Sequence, residues 1–306
     1  MNKVIVIAGP TATGKTAVSV KLAKAFSGEV ISADSVQIYK HLNIGSAKPT
    51  DDEKQGVCHH LMDFLDPKES FSVADYCKLA KNKIHEILKR GNVPIVAGGT
   101  GLYISSLCDN ITFTDEEADT SVRDALYKEL EQIGEIKLHE RLSEIDPVAA
   151  SEIHPNNVKR VIRALEIFEK TGKTRTEQNE ESKREKSPYE FILCGLSGDR
   201  EKLYTRIDTR VDKMVENGLF EEVSKLSQMG LNETHQSMQG IGYKEILSYF
   251  KGEFDKNECI ELIKRGSRRY AKRQLTWFRR GDYKWFDCLD ENLFSEIKTY
   301  IGENLR

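Results

Sequence analysis

The segment from Gly9 to Thr16 matches the phosphate-binding pattern G-x-x-x-x-G-K-[ST] at every defined position. Glycines at this spacing let backbone N–H groups surround a polyphosphate, and the N-terminus of the following helix adds a partial positive charge. Lys15 can reach the terminal phosphates, and the hydroxyl of Thr16 can ligate Mg²⁺. We therefore predict a polyphosphate site formed by Gly9, Pro10, Thr11, Ala12, Thr13, Gly14, Lys15 and Thr16.

A carboxylate, Asp34, follows the second predicted strand, Glu29–Ala33. Because ligands of open α/β sheets gather beyond the carboxyl ends of the strands, we expect Asp34 to face the phosphate-binding loop. An acid at that place can act on the group that carries the phosphates. Asp is also favoured at helix N-caps, so a capping role for Asp34 is the alternative, and the two roles can coexist.

The third predicted strand, Val93–Ala97, runs into Gly98-Gly99-Thr100 instead of an acid. In P-loop proteins that hydrolyse nucleoside triphosphates, an acid at this point helps to hold Mg²⁺. Its replacement argues against such hydrolysis and indicates a close approach of backbone and hydroxyl to a ligand. A second Mg²⁺ ligand would then come from elsewhere, such as Asp34 acting through a water molecule.

Positive charge is concentrated late in the chain, although the net charge is −3. Arg206 and Arg210 share one face of a predicted helix and could clamp a phosphate. The predicted helix Asp255–Phe278 carries basic residues interleaved with aromatic ones, which is typical of nucleic-acid binding. A buried aromatic face beside a solvated basic face is the alternative for this helix, and a solvated charged face is the alternative for the basic cluster within 159–163.

These residues lie on a pattern of alternating strands and helices that predicts an α/β protein with a P-loop NTPase-like parallel sheet. The pattern becomes helical only between residues 115 and 187, and strand character returns at Tyr189–Cys194. We therefore predict a core formed by residues 1–114 and 188–306, a helical insertion at 115–187 and a helical C-terminal region. The predicted elements are strands Val4–Ile7 and Trp285–Phe286, and helices Lys15–Phe26, Ser72–Gly91, Thr120–Ile133, Ile136–Ile145, Val148–Ile153, Asn157–Thr171, Asp199–Asn217 and Leu293–Leu305.

Composition favours a soluble cytoplasmic protein. The chain has 306 residues, 39% hydrophobic and 31% charged, and its apolar runs are too short to span a bilayer. The first strand begins almost at Met1, so we expect no signal peptide. Six scattered cysteines without a C-x-x-C pair indicate reduced thiols, and the pair His59-His60 is expected to be structural rather than metal-binding.

Eight segments in order closely resemble the bacterial tRNA dimethylallyltransferase family, also called tRNA isopentenyltransferases. They are GPTATGKT at 9–16, SADSVQIY at 32–39, HHLMD and FLDP at 59–67, AGGTGLY at 97–103, NNVKRVIRALE at 156–166, RVDKMVENGLFEEV at 210–223, QGIGYKE at 239–245 and RRYAKRQLTWFRR at 268–280. The resemblance covers essentially the whole chain. It implies transfer of the dimethylallyl group from dimethylallyl diphosphate to N6 of adenosine 37, in tRNAs that read codons starting with U.

The resemblance also implies roles for individual residues. Residues 9–16 would bind the diphosphate as a leaving group, with Lys15, Arg210 and Mg²⁺ on Thr16 neutralising its charge. Asp34 would be the general base, with Thr100 holding the amine and the acid in line. The implied tRNA contacts are Asp34, Ser35, Val36, Gln37, Thr100, Arg123, Lys159, Arg160, Val161, Ile162, Arg163, Gln239, Gly240, Ile241, Gly242, Tyr243, Lys244, Lys272, Arg273, Gln274 and Arg279.

The expected partners are dimethylallyl diphosphate and the anticodon stem-loop of tRNA, which the helical insertion would grip. We expect the protein to be a monomer that does not bind a membrane. A P-loop kinase of a nucleotide or small metabolite is the alternative, because it would share the loop and a helical insertion. The Gly98-Gly99-Thr100 turn and the basic C-terminal helix count against it. A non-catalytic, nucleotide-controlled RNA-binding switch would fit the basic face but gives Asp34 no role.

Overall fold

The computed structural model of the protein describes residues 2–111, 121–182 and 186–305, with the side chain of Ser182 excepted. The chain divides into two compact units. The core unit comprises Met1–Cys108 and Pro188–Arg306, and the helical unit comprises Asp109–Ser187. The predicted start of the insertion at residue 115 and the predicted helix start at Thr120 lie outside the described residues.

The core unit is built on a parallel sheet of six strands. They are β1 (Lys3–Ala8), β2 (Gly28–Ala33), β3 (His59–His60), β4 (Val93–Gly98), β5 (Glu190–Ser197) and β6 (Lys284–Asp287), in the order β3-β2-β4-β1-β5-β6. Strand β1 pairs with β4 on one side and β5 on the other, and residues 4–8 are buried on both faces. Burial on both faces is why this strand is a continuous run of apolar residues. The predicted α/β fold class with a parallel sheet is confirmed.

Thirteen α-helices are present among the described residues. They are α1 (Lys15–Phe26), α2 (Asp51–Lys54), α3 (Val73–Lys89), α4 (Gly101–Cys108), α5 (Ser121–Ile145), α6 (Pro147–Glu152), α7 (Val158–Thr171), α8 (Arg175–Ser182), α9 (Arg200–Glu216), α10 (Leu219–Gln228), α11 (Tyr243–Phe250), α12 (Lys256–Phe278) and α13 (Leu293–Leu305). No described helix is both long and apolar enough to cross a membrane.

Local sequence signals place most helix ends. Ser72 begins α3 with a reciprocal capping box to Asp75, and Gly91 follows its end with a φ of +79° that glycine accepts without strain. The bounds predicted for α1 and α13 agree with the structure. The sequence prediction misses β3, α2, α4, α8, α10 and α11. These elements are short, so too few residues carry a periodic apolar pattern to reveal them.

The helical unit contains α5 to α8 and a hydrophobic core of its own. Gly134 has non-helical angles and breaks α5, where the sequence predicts two separate helices. The buried side chains on α5, α6 and α7 pack on one another and include Leu126, Leu138, Leu142, Ala149, Ala150, Ile153, Val161, Ile162, Ala164 and Leu165. The polar faces of these helices therefore remain at the surface of the unit.

Candidate active site

The phosphate-binding loop lies between β1 and α1, at the carboxyl end of the central strand. A Cβ atom on Gly9 would lie 2.6 Å from the carbonyl oxygen of Leu196 on β5, so only glycine fits there. Gly14 caps α1 in the left-handed conformation, with φ +81°. Within the loop, Thr13 Oγ1 donates a hydrogen bond of 2.8 Å to the carbonyl of Pro10. The loop is therefore held in its curled shape by its own sequence.

Two positive side chains come together at this loop. Lys15 Nζ donates to the carbonyl of Pro10 at 2.7 Å, and Arg210 Nη1 on α9 donates to Thr11 Oγ1 at 3.1 Å. Burial, followed by the charge of Arg210, lowers the pKa of Lys15 to about 8. Burial also lowers the pKa of Arg210. Each shift shows that the charged form is short of compensation, which an anionic ligand would supply.

Asp34 lies just beyond β2 and lines the same cavity. Its Oδ1 accepts the backbone N–H groups of Val36 at 2.9 Å and Gln37 at 3.2 Å, so the carboxylate does cap the turn that follows it. Thr100 Oγ1 accepts the N–H of Ser35 at 3.1 Å and so ties the β4 turn to the β2 turn. The capping role does not remove Asp34 from the cavity.

The turn after β4 is glycine-rich for a reason that the sequence prediction does not give. A Cβ on Gly99 would overlap Gln274 Nε2, and one on Gly101 would overlap the ring of Trp277. Both contacting side chains belong to α12. Gly99 packs against this helix and, with Gly98, also lines the cavity, so the predicted approach of its backbone to a ligand stays a prediction.

One cavity of about 470 Å³ connects the phosphate-binding loop, the β2 turn and the C-terminal helices. The predicted site residues that line it are Thr11, Ala12, Gly14, Lys15, Thr16, Asp34, Ser35, Val36, Gln37, Arg210, Gln239, Gly240, Ile241, Gly242, Lys244, Arg273 and Gln274. Arg206 instead lines a separate depression beside α1, so the pair predicted as a phosphate clamp is split. The other predicted residues of the loop and of the β4 turn, Gly9, Pro10, Thr13 and Thr100, are not among those that line the cavity.

Two predicted tRNA contacts have side chains that the structure buries. Tyr243 is fully buried, and its hydroxyl donates to Glu222 Oε1 at 2.8 Å. Gln274 is 6% exposed and bonds the backbone of the phosphate-binding loop and of the β4 turn. The buried Tyr243 side chain has no outer surface to offer tRNA. Gln274 still lines the cavity, so its contact with tRNA stays a prediction. Lys272 on α12 and Arg279 at the C-cap of this helix are exposed.

The helical unit gathers three cations on one buried acid. Glu166 is 1% exposed and pairs with Arg123, Arg163 and Lys170. Burial alone would raise the pKa of Glu166, but hydrogen bonds from these three side chains outweigh it and hold the pKa below its ordinary value. The arrangement fixes positive groups at the surface of this unit.

Helix α7 carries five of the residues predicted as tRNA contacts, and it divides them between solvent and core. Lys159, Arg160 and Arg163 are exposed, whereas Val161 and Ile162 are each 1% exposed and belong to the unit's core. The prediction of Val161 and Ile162 as contacts through their side chains is wrong, because the helical period turns them inward. The three basic residues remain available to a nucleic acid.

Sequence reasoning missed two residues that organise the cavity. Tyr270 lies within hydrogen-bonding reach of Thr100 and Gln274, and burial raises its pKa to about 12. Glu222 accepts the backbone N–H groups of residues 43 to 45 and so holds a lining loop in place. Tyr270 stands four residues before Gln274, a helical spacing that could have indicated its position, whereas Glu222 carries no local signal.

The histidine pair is expected to be structural, and one of its members lies against a buried acid. His60 Nε2 lies 2.6 Å from Glu29 Oε2, and Cys58 is near enough for the three to form a possible metal group. Arg90 and Asn92 already donate to both oxygens of Glu29. Burial would raise the pKa of Glu29, yet these hydrogen bonds lower it to about 2, so the carboxylate is already compensated.

A curled loop between the central strand and its helix, with two cations at the carboxyl edge of a parallel sheet, is the arrangement of a P-loop protein. The sequence model of the IPP transferase family matches residues 37–281. A tRNA dimethylallyltransferase of Acetivibrio thermocellus is 50% identical over 99% of this chain and 98% of its own length. One from Bacillus cytotoxicus is 51% identical over 100% of this chain and 96% of its own.

Solved structures agree with these sequence matches. A tRNA isopentenylpyrophosphate transferase of Bacillus halodurans superposes with a TM-score of 0.76 at 47% identity, covering 100% of this chain and 97% of its own. A eukaryotic dimethylallyltransferase acting on tRNA gives 0.81 at 33% identity, covering 100% and 78%. The chain belongs to the IPP transferase family of tRNA dimethylallyltransferases.

Proposed function

We propose that the protein transfers the dimethylallyl group of dimethylallyl diphosphate to N6 of adenosine 37, in tRNAs that read codons starting with U. The observation that carries this proposal is that one cavity contains the phosphate-binding loop, a second cation and a carboxylate. The names of its relatives supply the substrate class. The same cavity is bordered by turns that the family resemblance assigns to tRNA.

The phosphate-binding loop holds the diphosphate as a leaving group. Lys15 and Arg210 face charge that grows on the departing oxygen as the C–O bond breaks. Their incomplete compensation in the protein favours an anion, and the effect is stronger in a cavity than in open water. Because diphosphate leaves intact, no hydrolytic water has to be positioned.

Asp34 accepts the proton from the attacking amine. The lone pair of the adenine N6 is delocalised into the ring, so the amine becomes a good nucleophile only as its proton is removed. Oδ1 of Asp34 is held by the N–H groups of Val36 and Gln37, which fixes the direction of the carboxylate. Thr100 holds the neighbouring turn through Ser35. Positioning and general-base catalysis therefore act together.

Mg²⁺ fits the oxygen donors that the cavity offers. Thr16 and Asp34 both line it, and hydroxyl and carboxylate oxygens suit this hard cation. We propose that Thr16 holds Mg²⁺ and that Asp34 contacts it through water. When bound, Mg²⁺ would neutralise diphosphate charge.

tRNA is proposed to bind both units through exposed basic side chains. The candidates are Arg123, Lys159, Arg160 and Arg163 in the helical unit, and Lys244, Lys272, Arg273 and Arg279 in the core unit. Backbone phosphates are the natural partners of such residues. The target adenine would leave the anticodon loop, where unstacking a base costs little, and enter the cavity.

The test incubates the protein with unmodified tRNA, Mg²⁺ and either dimethylallyl diphosphate or ATP. Prenylated adenosine 37 with the first donor and no ATP consumption with the second is the expected result. ATP turnover without modified tRNA would instead identify a kinase or an ATPase.

Asp34→Asn should lower kcat by about 10²- to 10⁴-fold, the usual contribution of a general base. Affinity for tRNA and for diphosphate should change little, because the amide keeps the size of the side chain and can still accept the turn's N–H bonds. Single-turnover rates at saturating substrate measure the effect. An unchanged rate would remove Asp34 from the role of base.

A further inference from the structure

Gln274 lies near the C-terminal end of α12, with its amide group between two turns of the core unit. Its Oε1 accepts the backbone N–H of Thr11 in the phosphate-binding loop at 3.0 Å. Its Nε2 donates to the carbonyl of Gly99 after β4 at 2.9 Å. The side chain is 6% exposed, with the bond to Gly99 buried and the bond to Thr11 partly buried. One amide thus uses its donor and its acceptor to join the ends of two neighbouring strands.

The bond to Thr11 extends to the second cation of the site. The hydroxyl of Thr11 accepts Arg210 Nη1 at 3.1 Å, while its backbone N–H is held by Gln274. Three residues from α12, the phosphate-binding loop and α9 therefore form one chain of hydrogen bonds. The position of the Arg210 guanidinium depends on where Gln274 holds Thr11.

The turn after β4 is shaped to accept this amide. A Cβ atom on Gly99 would overlap Gln274 Nε2, whereas its next nearest neighbours stand at 3.4 Å and 3.5 Å. Gly99 is also absent from the described residues with positive φ, so its backbone angles would allow alanine. Crowding by Gln274 is therefore what requires glycine at this position.

We propose that Gln274 is a positioning residue for the diphosphate site, acting through Thr11 on Arg210, and that it makes no contact with tRNA. This inference rests on the proposed function for the identity of the leaving group. It replaces the tRNA-binding role that the family resemblance implies for position 274. Its neighbours on the exposed face of α12 keep that role. The exposed face of this helix therefore contacts tRNA, and its buried face supports the diphosphate site.

The first test compares Gln274→Met with Lys272→Ala. Methionine has nearly the same size but neither hydrogen bond, whereas Lys272 is exposed on the same helix. The Kd of inorganic diphosphate is measured by calorimetry without tRNA, alongside the KM of dimethylallyl diphosphate, the Kd of tRNA and the melting temperature. Diphosphate binding is independent of transfer, so the result stands even if the proposed reaction fails.

We expect Gln274→Met to raise the diphosphate Kd and the KM of dimethylallyl diphosphate by about five- to fiftyfold, because two buried partners lose their bonds. The tRNA Kd should stay within about twofold. Lys272→Ala should show the reverse pattern. A raised tRNA Kd with unchanged diphosphate binding overturns the proposal, and so does an equal loss of both with a large fall in melting temperature.

A second test uses crowding at Gly99 and remains informative if Gln274→Met does not fold. Gly99→Ala should displace the Gln274 amide and weaken diphosphate binding to a similar degree. In a Gln274→Ala background the added methyl group has room, so the same Gly99→Ala change should then cost little. Full additivity of the two changes would show that Gly99 and Gln274 act separately and would overturn the proposal.

Discussion

The molecule contains two clusters of positive charge that are built in opposite ways. In the core unit, Lys15 and Arg210 line a cavity, and neither forms an ion pair with a carboxylate of the described chain. In the helical unit, Arg123, Arg163 and Lys170 converge on the buried carboxylate of Glu166. The first cluster is held by neutral oxygens of the loop, and the second by an opposite charge.

The difference indicates what each cluster is for. Lys15 and Arg210 are partly exposed, and desolvation outweighs the attraction of nearby Asp34, so the pKa of each is lowered. Such groups gain most when a multiply charged anion arrives. Cations gathered on a buried acid are already compensated, so they serve to present N–H donors in a fixed geometry. We infer that the first cluster stabilises charge during the reaction and that the second cluster binds tRNA.

Among changes to the two clusters, the largest effect should come from removing a cation of the core unit. Arg210→Ala is expected to lower kcat/KM for dimethylallyl diphosphate by about 10²- to 10³-fold, as for the loss of one group that stabilises developing charge. The tRNA Kd should hardly change. Arg206→Ala is the matched control, since Arg206 is one turn away on α9 and lines a different depression. Equal losses in both variants would break the comparison.

Replacing the buried acid of the helical unit tests whether it positions the arginines, because the two explanations predict opposite changes in tRNA affinity. Glu166→Gln makes the protein less negative, so simple electrostatics predicts tighter tRNA binding. If Glu166 positions the arginines, the tRNA Kd should instead rise by about tenfold, the equivalent of losing one good charged hydrogen bond. Glu169→Gln on the same helix removes the same charge from a pair with Arg141 and serves as the control. Tighter binding in both variants would contradict the positioning role.

The lowered pKa of Lys15 predicts a pH effect in the core unit only. As pH rises through about 8, Lys15 loses its proton, so its attraction for diphosphate falls. Between about pH 7 and about pH 8.5, the KM of dimethylallyl diphosphate should rise about fourfold relative to Lys15→Arg, whose side chain stays charged. The ratio of the two KM values removes the contribution of substrate titration, because that contribution is the same for both enzymes. A constant ratio would show that Lys15 stays protonated.

The smallest effect should appear in the salt dependence of tRNA binding. Arg123→Ala is expected to reduce the slope of log K against log salt by about one, because one phosphate contact is lost. Arg210→Ala should leave this slope unchanged. A reduced slope in Arg210→Ala would mean that the cavity cation also binds the tRNA backbone.

Elements with a continuous apolar pattern or a specific motif could be predicted from the sequence. Contacts between residues that are far apart in the chain could not. The buried strand, the loop and α1 follow from Val4 to Phe26 alone, because the strand is apolar throughout and the loop pattern is specific. Gln274 is predicted only as a tRNA contact, whereas its amide joins two turns of the core unit. Nothing near position 274 shows that Thr11, far away in sequence, supplies its partner.

The same limit explains the errors in the helical unit. The resemblance implies tRNA contacts for every residue from 159 to 163, yet the helical period alternates solvent and core within this stretch. Burial of Val161 and Ile162 follows from the apolar face that sequence also shows, whereas the acid at Glu166 gives no local sign that Arg123 will reach it. Pairings between separate helices are set by packing, which short motifs do not encode.

The strand order has a consequence for synthesis. Strand β1 is made first, but its partners are β4 and β5, and β5 ends only at Ser197. The helical unit lies between these partners in sequence and has its own core, so its last residue leaves the ribosome before β1 has both neighbours. Because chain segments with local contacts form fastest, the insertion is favoured to fold before β1 has paired with both of its neighbouring strands. The loop that opens the sequence is thus among the last parts of the protein to acquire its final surroundings.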